Sequence, residues 1–326
     1  MGQIFSSSAS AQLGSFESAG SLDPATLSPA PILTVHEFDS VRFEVNDPSF
    51  VPYLQEHGYV VIKGVASALE VEQGQAKLWD FLKGYGMLPD QVESWTDSNF
   101  LQVGSSRTGI LSEKGINQSD FLWHARLLPK VKAAFAAIYK ESNLISSFDG
   151  GNIFRPWHNR SIPDSEYIQT AHGWFHVDQG RDQRGMQCVQ GLVSFKDADA
   201  HTGGFCVIPG SHKHHDKLVD GKAGIGRRNF VIVPTDFAVL QHDKILPKLK
   251  AGDLLLWDSR TIHCNCPSLV LNDKFTPSAC STEASIQSMS LLSPNELLRI
   301  VAYVCMTPAA WASPEVIRTR IKIYGA

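Results

Sequence analysis

The feature that most constrains this chain is a change of texture at residue 144. From there to Met306, short apolar runs alternate with turn signals. The runs are Leu144–Phe148, Met186–Phe195, Phe205–Ile208, Phe230–Val233, Leu254–Trp257 and Ile300–Met306. Between them lie Asp149-Gly150-Gly151, Thr202-Gly203-Gly204, Pro209-Gly210-Ser211 and Ala251-Gly252-Asp253. Many short strands joined by Gly/Pro turns predict a sandwich or barrel of jelly-roll type.

The earlier part reads as helices with one strand. Phe50, Tyr53 and Leu54 have helical spacing, Gly58 ends that helix, and Tyr59-Val60-Val61-Ile62 is β-rich. Ser67-Ala68-Leu69-Glu70 is a capping box, because the two side chains satisfy free N–H groups at a helix start. The helix it opens carries Val71, Leu78, Trp79 and Leu82 on one stripe. Pro129 suits a first helical position, and Val131, Phe135 and Ile138 give its helix an apolar face. The expectation is a mainly β fold with flanking helices, one domain over 31–326. Helices occupy about 48–140 and the jelly-roll about 144–308.

Two segments stand apart. Residues 1–30, rich in Ser, Ala and Gly, cannot bury enough apolar surface to offset ordering entropy and are expected to be disordered. Ser268–Pro294 interrupts the strand rhythm as an insertion loop. Met1-Gly2-Gln3-Ile4-Phe5-Ser6 fits the N-myristoylation pattern at Gly2, although short patterns also match by accident. One acyl chain without a basic cluster anchors only marginally, giving a protein that visits membranes.

Net charge is −4, from 29 basic and 33 acidic residues, which argues against nucleic acid as a partner. No apolar run approaches the roughly 18 residues of a membrane-spanning helix. Six cysteines, at 188, 206, 264, 266, 280 and 305, leave the first half of the chain empty. They read as reduced thiols in a cytoplasmic protein.

The chemistry starts at His176-Val177-Asp178. In an extended segment, residues two apart leave on one face, so the imidazole and carboxylate can reach one ion. Gly252-Asp253 launches an apolar strand to Trp257, and His263 lies beyond it, 85 residues past Asp178. A jelly-roll can return the chain over that distance to an opposing strand. Two imidazoles and a carboxylate occupy one face of an octahedron, which suits non-haem iron(II); zinc could use the same ligands. Arg299 opens the last apolar strand. Buried in such a mouth, a guanidinium needs an anion, and Arg binds carboxylates bidentately.

Together these segments resemble the phytanoyl-CoA dioxygenase-like branch of the iron(II)/2-oxoglutarate oxygenases. The resemblance spans roughly residues 50–308. It rests on His176-Val177-Asp178, on Gly203-Gly204-Phe205-Cys206-Val207-Ile208-Pro209-Gly210-Ser211-His212, on Gly252–Asp258 leading to His263, and on Arg299. It implies a double-stranded β-helix, the cupin-like jelly-roll, with Fe(II) on His176, Asp178 and His263. It further implies 2-oxoglutarate as cosubstrate, its far carboxylate clamped by Arg299, and O2 as the second cosubstrate. Oxidative decarboxylation then yields succinate, carbon dioxide and hydroxylation of a small-molecule or lipid-like substrate. A carboxylate at Asp178 favours hydroxylation over halogenation, since related halogenases have a small residue there. Arg299 lies 36 residues past His263, further than is usual in the family, an excess assigned to the 268–294 insertion.

Other residues compete for attention. Arg260 is the rival clamp, but in a strand running through both it would face away from His263. Asn265 is a candidate contact to the cosubstrate. His212, Lys213, His214 and His215 follow a turn and read as solvated, and His172 sits in a segment too extended for a helical metal pair. Cys264 and Cys266 read as inert thiols, and Trp174 and Trp257 as packing. The alternatives are a non-catalytic jelly-roll binding protein and a zinc-dependent hydrolase on a cupin-like scaffold.

Overall fold

The capping box forms as its residues dictate. Ser67 Oγ accepts from the Glu70 N–H, and the Glu70 carboxylate accepts from the Ser67 N–H at 2.7 Å. The computed structural model describes residues 35–159, 161–163, 170–220, 229–269 and 293–324. The N-terminal tail, Gly2, most of the 268–294 insertion and Cys280 lie outside the described residues.

The chain begins with β1 (Val35–Phe38), β2 (Arg42–Phe43), α1 (Phe50–His57), β3 (Tyr59–Ile62) and α2 (Ala68–Lys83). Then come α3 (Asp97–Phe100), β4 (Ile110–Leu111), α4 (Asp120–Leu127) and α5 (Pro129–Tyr139). Next follow β5 (Leu144–Ser146), β6 (Gly151–Phe154), β7 (His176–Val177), β8 (Val189–Ser194), β9 (Gly204–Val207) and α6 (His215–Asp220). The last elements are β10 (Val231–Ile232), β11 (Lys244–Pro247), β12 (Leu254–Asp258), β13 (His263–Cys266), β14 (Arg299–Pro308) and α7 (Pro314–Tyr324). No helix among the described residues is long and apolar enough to cross a membrane.

The strands build two facing sheets that do not close into a barrel. The larger has the order β2-β3-β12-β8-β14-β6-β4, with β5 also paired to β14. The smaller runs β1-β11-β9-β13-β7-β10. This is a jelly-roll, but its sheets recruit β1 to β4 from before residue 144. The reading that set helices apart from a roll beginning at 144 is corrected accordingly. β6, β11 and β13 begin at Gly, Lys and His, which hides them from a search for apolar runs.

Side-chain alternation divides the core. On β14, Ile300, Ala302, Val304 and Met306 pack outward against residues of α2, α4 and α5. Val301 and Tyr303 face the interior with Tyr59, Val61, Leu192, Phe205, Leu255 and Trp257. Gly74 lets α2 approach closely: a Cβ there would lie 2.1 Å from Phe195 Cε1. A third cluster covers the outer face of the smaller sheet and takes in Cys206, Cys264 and Cys266.

The expectation that His212 and His215 are solvated is also corrected. Gly210 adopts a left-handed conformation and turns the chain into a short 3-10 turn and α6, which pack back onto the fold. His212 is buried with Nε2 3.0 Å from the Gln55 carbonyl, and buried His215 meets the Gln179 carbonyl at 2.8 Å. Gly58, at φ +75°, accommodates the first ring, since a Cβ there would be 2.5 Å from His212 Nδ1. His214 is half-buried, and Lys213 stays exposed, paired with Glu56.

Candidate metal centre

β7 is short, but its pairing fixes the site. His176 lies in register with His263 of β13. Two residues on from His176, Asp178 donates its N–H to the Ser259 carbonyl at 2.8 Å. One ligand atom from each of His176, Asp178 and His263 lies within 4.8 Å of the others. His176 Nε2 is 3.7 Å from Asp178 Oδ1, and His263 Nε2 is 3.5 Å from Asp178 Oδ2.

Both imidazoles are oriented from behind. His176 Nδ1–H donates to the Trp174 carbonyl at 3.2 Å and His263 Nδ1–H to the Thr261 carbonyl at 2.9 Å. With the proton held at Nδ1, each Nε2 lone pair faces the shared centre. Trp174 stacks on His176 with ring centres 4.8 Å apart, and Phe230 packs on it at 4.7 Å. Phe205 and Trp257 pack on His263, each at 5.3 Å. The two tryptophans thus pack, as expected, and what they pack is the site.

The electrostatics suit a cation. Burial, reinforced by His263, lowers His176 to about 4, so its ring is neutral near pH 7. Burial works to raise Asp178, but the neighbouring imidazoles and the Gln190 amide outweigh it and hold the carboxyl at about 2. Gln190 Nε2 donates to Asp178 Oδ2 at 2.9 Å. A neutral imidazole and an ionised carboxylate are the forms that bind metals.

Arg299 is 2 % exposed. Its Nη1 donates to Asn265 Oδ1 at 2.8 Å and to Asn152 Oδ1 at 3.0 Å. The guanidinium lies over Phe154, 4.9 Å from the ring centre. The Thr108 carbonyl accepts from Nδ2 of Asn152 and of Asn265, at 2.8 and 3.3 Å, which turns both amide oxygens toward the guanidinium. Tyr303 follows four positions after Arg299 on β14 and shares its interior face, near Asn265. Among the described residues no carboxylate pairs with Arg299, and burial lowers its pKa. Arg260 is engaged elsewhere: Nε and Nη2 donate to the Asp258 carboxylate at 2.9 and 2.7 Å. The parity argument against it does not apply, because β12 ends at Asp258 and the chain changes sheets before His263.

His172 is exposed and outside this cluster. Cys264 and Cys266 alternate with His263 and Asn265 and face the outer core. Sequence reading missed Gln190, Asn152 and Tyr303. Tyr303 was findable, since it lies four positions after Arg299 on one strand and therefore shares its face. Gln190 and Asn152 carried no local signal; only pairing with β14 brings them in.

Residues 54–264 match the family described as Phytanoyl-CoA dioxygenase (PhyH). The chain belongs to the phytanoyl-CoA dioxygenase family. The match contains His176, Asp178 and His263 and ends before Asn265 and Arg299. Ava biosynthesis cluster protein O of Aspergillus versicolor is 24% identical over 280 residues, covering 81% of this chain and 78% of that protein. EctD from S. alaskensis, solved with 2-oxoglutarate and 5-hydroxyectoine, has a similar fold at TM-score 0.50 and 15% identity, over 86% of this chain and 82% of that one. The carbocyclase SnoK from nogalamycin biosynthesis, described as non-haem and α-ketoglutarate-dependent, gives a TM-score of 0.48 at 13% identity, over 82% and 87% of the two chains.

Proposed function

We propose that this family member is an iron(II)- and 2-oxoglutarate-dependent dioxygenase that hydroxylates a small-molecule or lipid-like substrate, releasing succinate and carbon dioxide. The observation that carries the reading is the pairing of two sites in the interior between the two sheets. Two Nε2 lone pairs and a carboxylate converge, and near them a buried cation has only neutral hydrogen-bond partners among the described residues.

The donor set fits iron(II). Two nitrogens and one carboxylate satisfy one face of an octahedron and leave the other for ligands. Bound iron would supply the activation of oxygen, with 2-oxoglutarate as the electron source. The chain's own part is positional. His176, Asp178 and His263 hold the ion, and Trp174, Thr261 and Gln190 hold them. Arg299 grips the far carboxylate of 2-oxoglutarate, with Asn152 and Asn265 fixing the guanidinium. His263 and Asn265 are two residues apart on β13, roughly 7 Å, a span a five-carbon dicarboxylate can bridge. Trp174, Phe205, Phe230 and Trp257 keep water from the ligands. Asp178 fills the position a halide would need, which favours hydroxylation. Membership of a biosynthesis cluster, printed in the name of the Aspergillus relative, supports a small-molecule substrate.

The deciding experiment measures succinate released from 2-oxoglutarate by purified protein, with and without Fe(II) and with and without oxygen. Release that requires both supports the proposal. Iron-independent hydrolysis with bound zinc, or no turnover across a broad metabolite panel, overturns it.

A further inference from the structure

The mechanism leaves two sulfur atoms unused beside the site. Cys188 Sγ and Cys305 Sγ lie 3.1 Å apart, between neighbouring strands of the larger sheet. Cys305 follows Arg299, Val301 and Tyr303 on the interior face of β14 and lies in register with Gln190. Cys188 immediately precedes β8, two residues before Gln190. Cys305 is buried and Cys188 partly exposed.

Two links join the pair to Asp178. Gln190, whose side chain holds Asp178 Oδ2, stands opposite Cys305 in the strand pairing and two residues past Cys188. The Cys188 carbonyl accepts from the Ser259 N–H at 3.0 Å, and the Ser259 carbonyl accepts from the Asp178 N–H at 2.8 Å. Any movement of the Cys188 backbone therefore reaches Asp178 through its main chain and its carboxylate.

We propose that Cys188 and Cys305 form a reversible disulfide under peroxide and that the bridge weakens metal binding at His176, Asp178 and His263. Shared hydrogen bonding with Cys188, together with burial, keeps Cys305 a thiol, which leaves the more exposed Cys188 as the nucleophile. The Cys188 thiolate attacks hydrogen peroxide, forming the sulfenic acid and releasing hydroxide. Cys305 then attacks that sulfur, expelling water and closing the S–S bond, with its proton passing to the departing oxygen. The two sulfurs lose two electrons, and the peroxide gains them. A disulfide needs about 2.05 Å between sulfurs, so closure draws the start of β8 and Cys305 together by about 1 Å. Gln190 and Ser259 then lose their alignment on Asp178.

The bridge itself does not depend on the oxygenase reading; its effect on metal does. Full-length protein is treated with hydrogen peroxide, remaining thiols are blocked, and cross-linked peptides are mapped by mass spectrometry without reductant. Metal affinity is then titrated with Co(II), a spectroscopic probe for the iron site, on reduced and oxidised protein. The expected result is a Cys188–Cys305 cross-link, reversed by dithiothreitol and absent in C188S and C305S. Co(II) binding should be roughly 10- to 100-fold weaker in the oxidised form, as for loss of other outer-shell support. Both serine variants should keep their affinity after peroxide. Absence of the cross-link, or a bridge that leaves Co(II) affinity unchanged, overturns the proposal. Reduced protein that binds no Co(II) overturns the metal reading instead, while the peptide map still decides whether the thiols pair.

Discussion

Arg299 and Asn265 join the two sheets across the interior, with Nη1 donating to Oδ1 at 2.8 Å. Arg299 opens β14 in the larger sheet, and Asn265 stands on β13 in the smaller, two residues past His263. The cation is thus tied to the strand that carries His263. Replacing Arg299 by Ala should raise the KM for 2-oxoglutarate by at least about 30-fold, because one partner of a buried charge pair is lost. Metal affinity should change little. R299K should recover only part of the loss, since an ammonium cannot make two parallel bonds to a carboxylate. Steady-state kinetics at varied 2-oxoglutarate, beside metal titration, checks this.

Gln190 is the outer support of Asp178. Q190L keeps the side-chain volume close but removes the amide donor from Asp178 Oδ2. Metal binding should weaken by about 10- to 100-fold, with the fold intact by circular dichroism. A Q190L protein with unchanged metal affinity would show that the amide contributes nothing to the site.

The low pKa of His176 predicts how the metal-free protein responds to acid. The folded value is about 4 and the unfolded value about 6.5, so between them the unfolded chain binds more protons. Stability therefore falls as pH drops from about 6.5 towards about 4, approaching 1.4 kcal/mol per pH unit in the middle of that window. Asp178 acts lower down. Its folded value, about 2, lies below the unfolded one, so its stabilising contribution is present above about 3.9 and is lost as pH falls through the folded value. Urea titrations of metal-free protein at several pH values should show the first window, and H176Q should flatten it.

Gly74 sets helix propensity against packing. An alanine in a helix interior gains about 1 kcal/mol over glycine by propensity. Here the new methyl would meet the Phe195 ring, just past the end of β8, at 2.1 Å. Overpacking of that kind costs about 1–3 kcal/mol, so G74A should be destabilising overall. Thermal melts of G74A and the double variant G74A/F195L separate the two effects: the second substitution should restore stability.

The parts of this protein legible in its sequence are those set by local chemistry. The Ser67–Glu70 capping box, Pro129 at a helix start, Gly58 at a helix end and the apolar runs of β12 and β14 announce themselves through spacing and side-chain type. The His176/Asp178 pair was legible because a two-residue period is the geometry of extended chain. What remained hidden depends on strands meeting far apart in sequence. Asn152 reaches Arg299 across 147 residues, and Gln190 serves Asp178 only because β8 lies within the larger sheet while Asp178 follows β7 of the smaller. The burial of His212 was hidden for the same reason, since the space that receives it is made by Gly58, on a distant helix end.

A single strand bearing both His263 and Asn265 acts as a ruler with gradations two residues apart. On the proposed reading, the chelated end of the cosubstrate is set by His263 and the anchored end by Arg299, which Asn265 of the same strand as His263 holds in place. Loop motion cannot adjust that distance. A dicarboxylate one methylene longer or shorter cannot be accommodated by shifting β13 one residue, because such a slip would turn His263 outward and bring the Cys264 thiol into its place. On that reading discrimination by chain length follows from the pleat of the sheet, and relaxing it would require moving Arg299 to a new strand position.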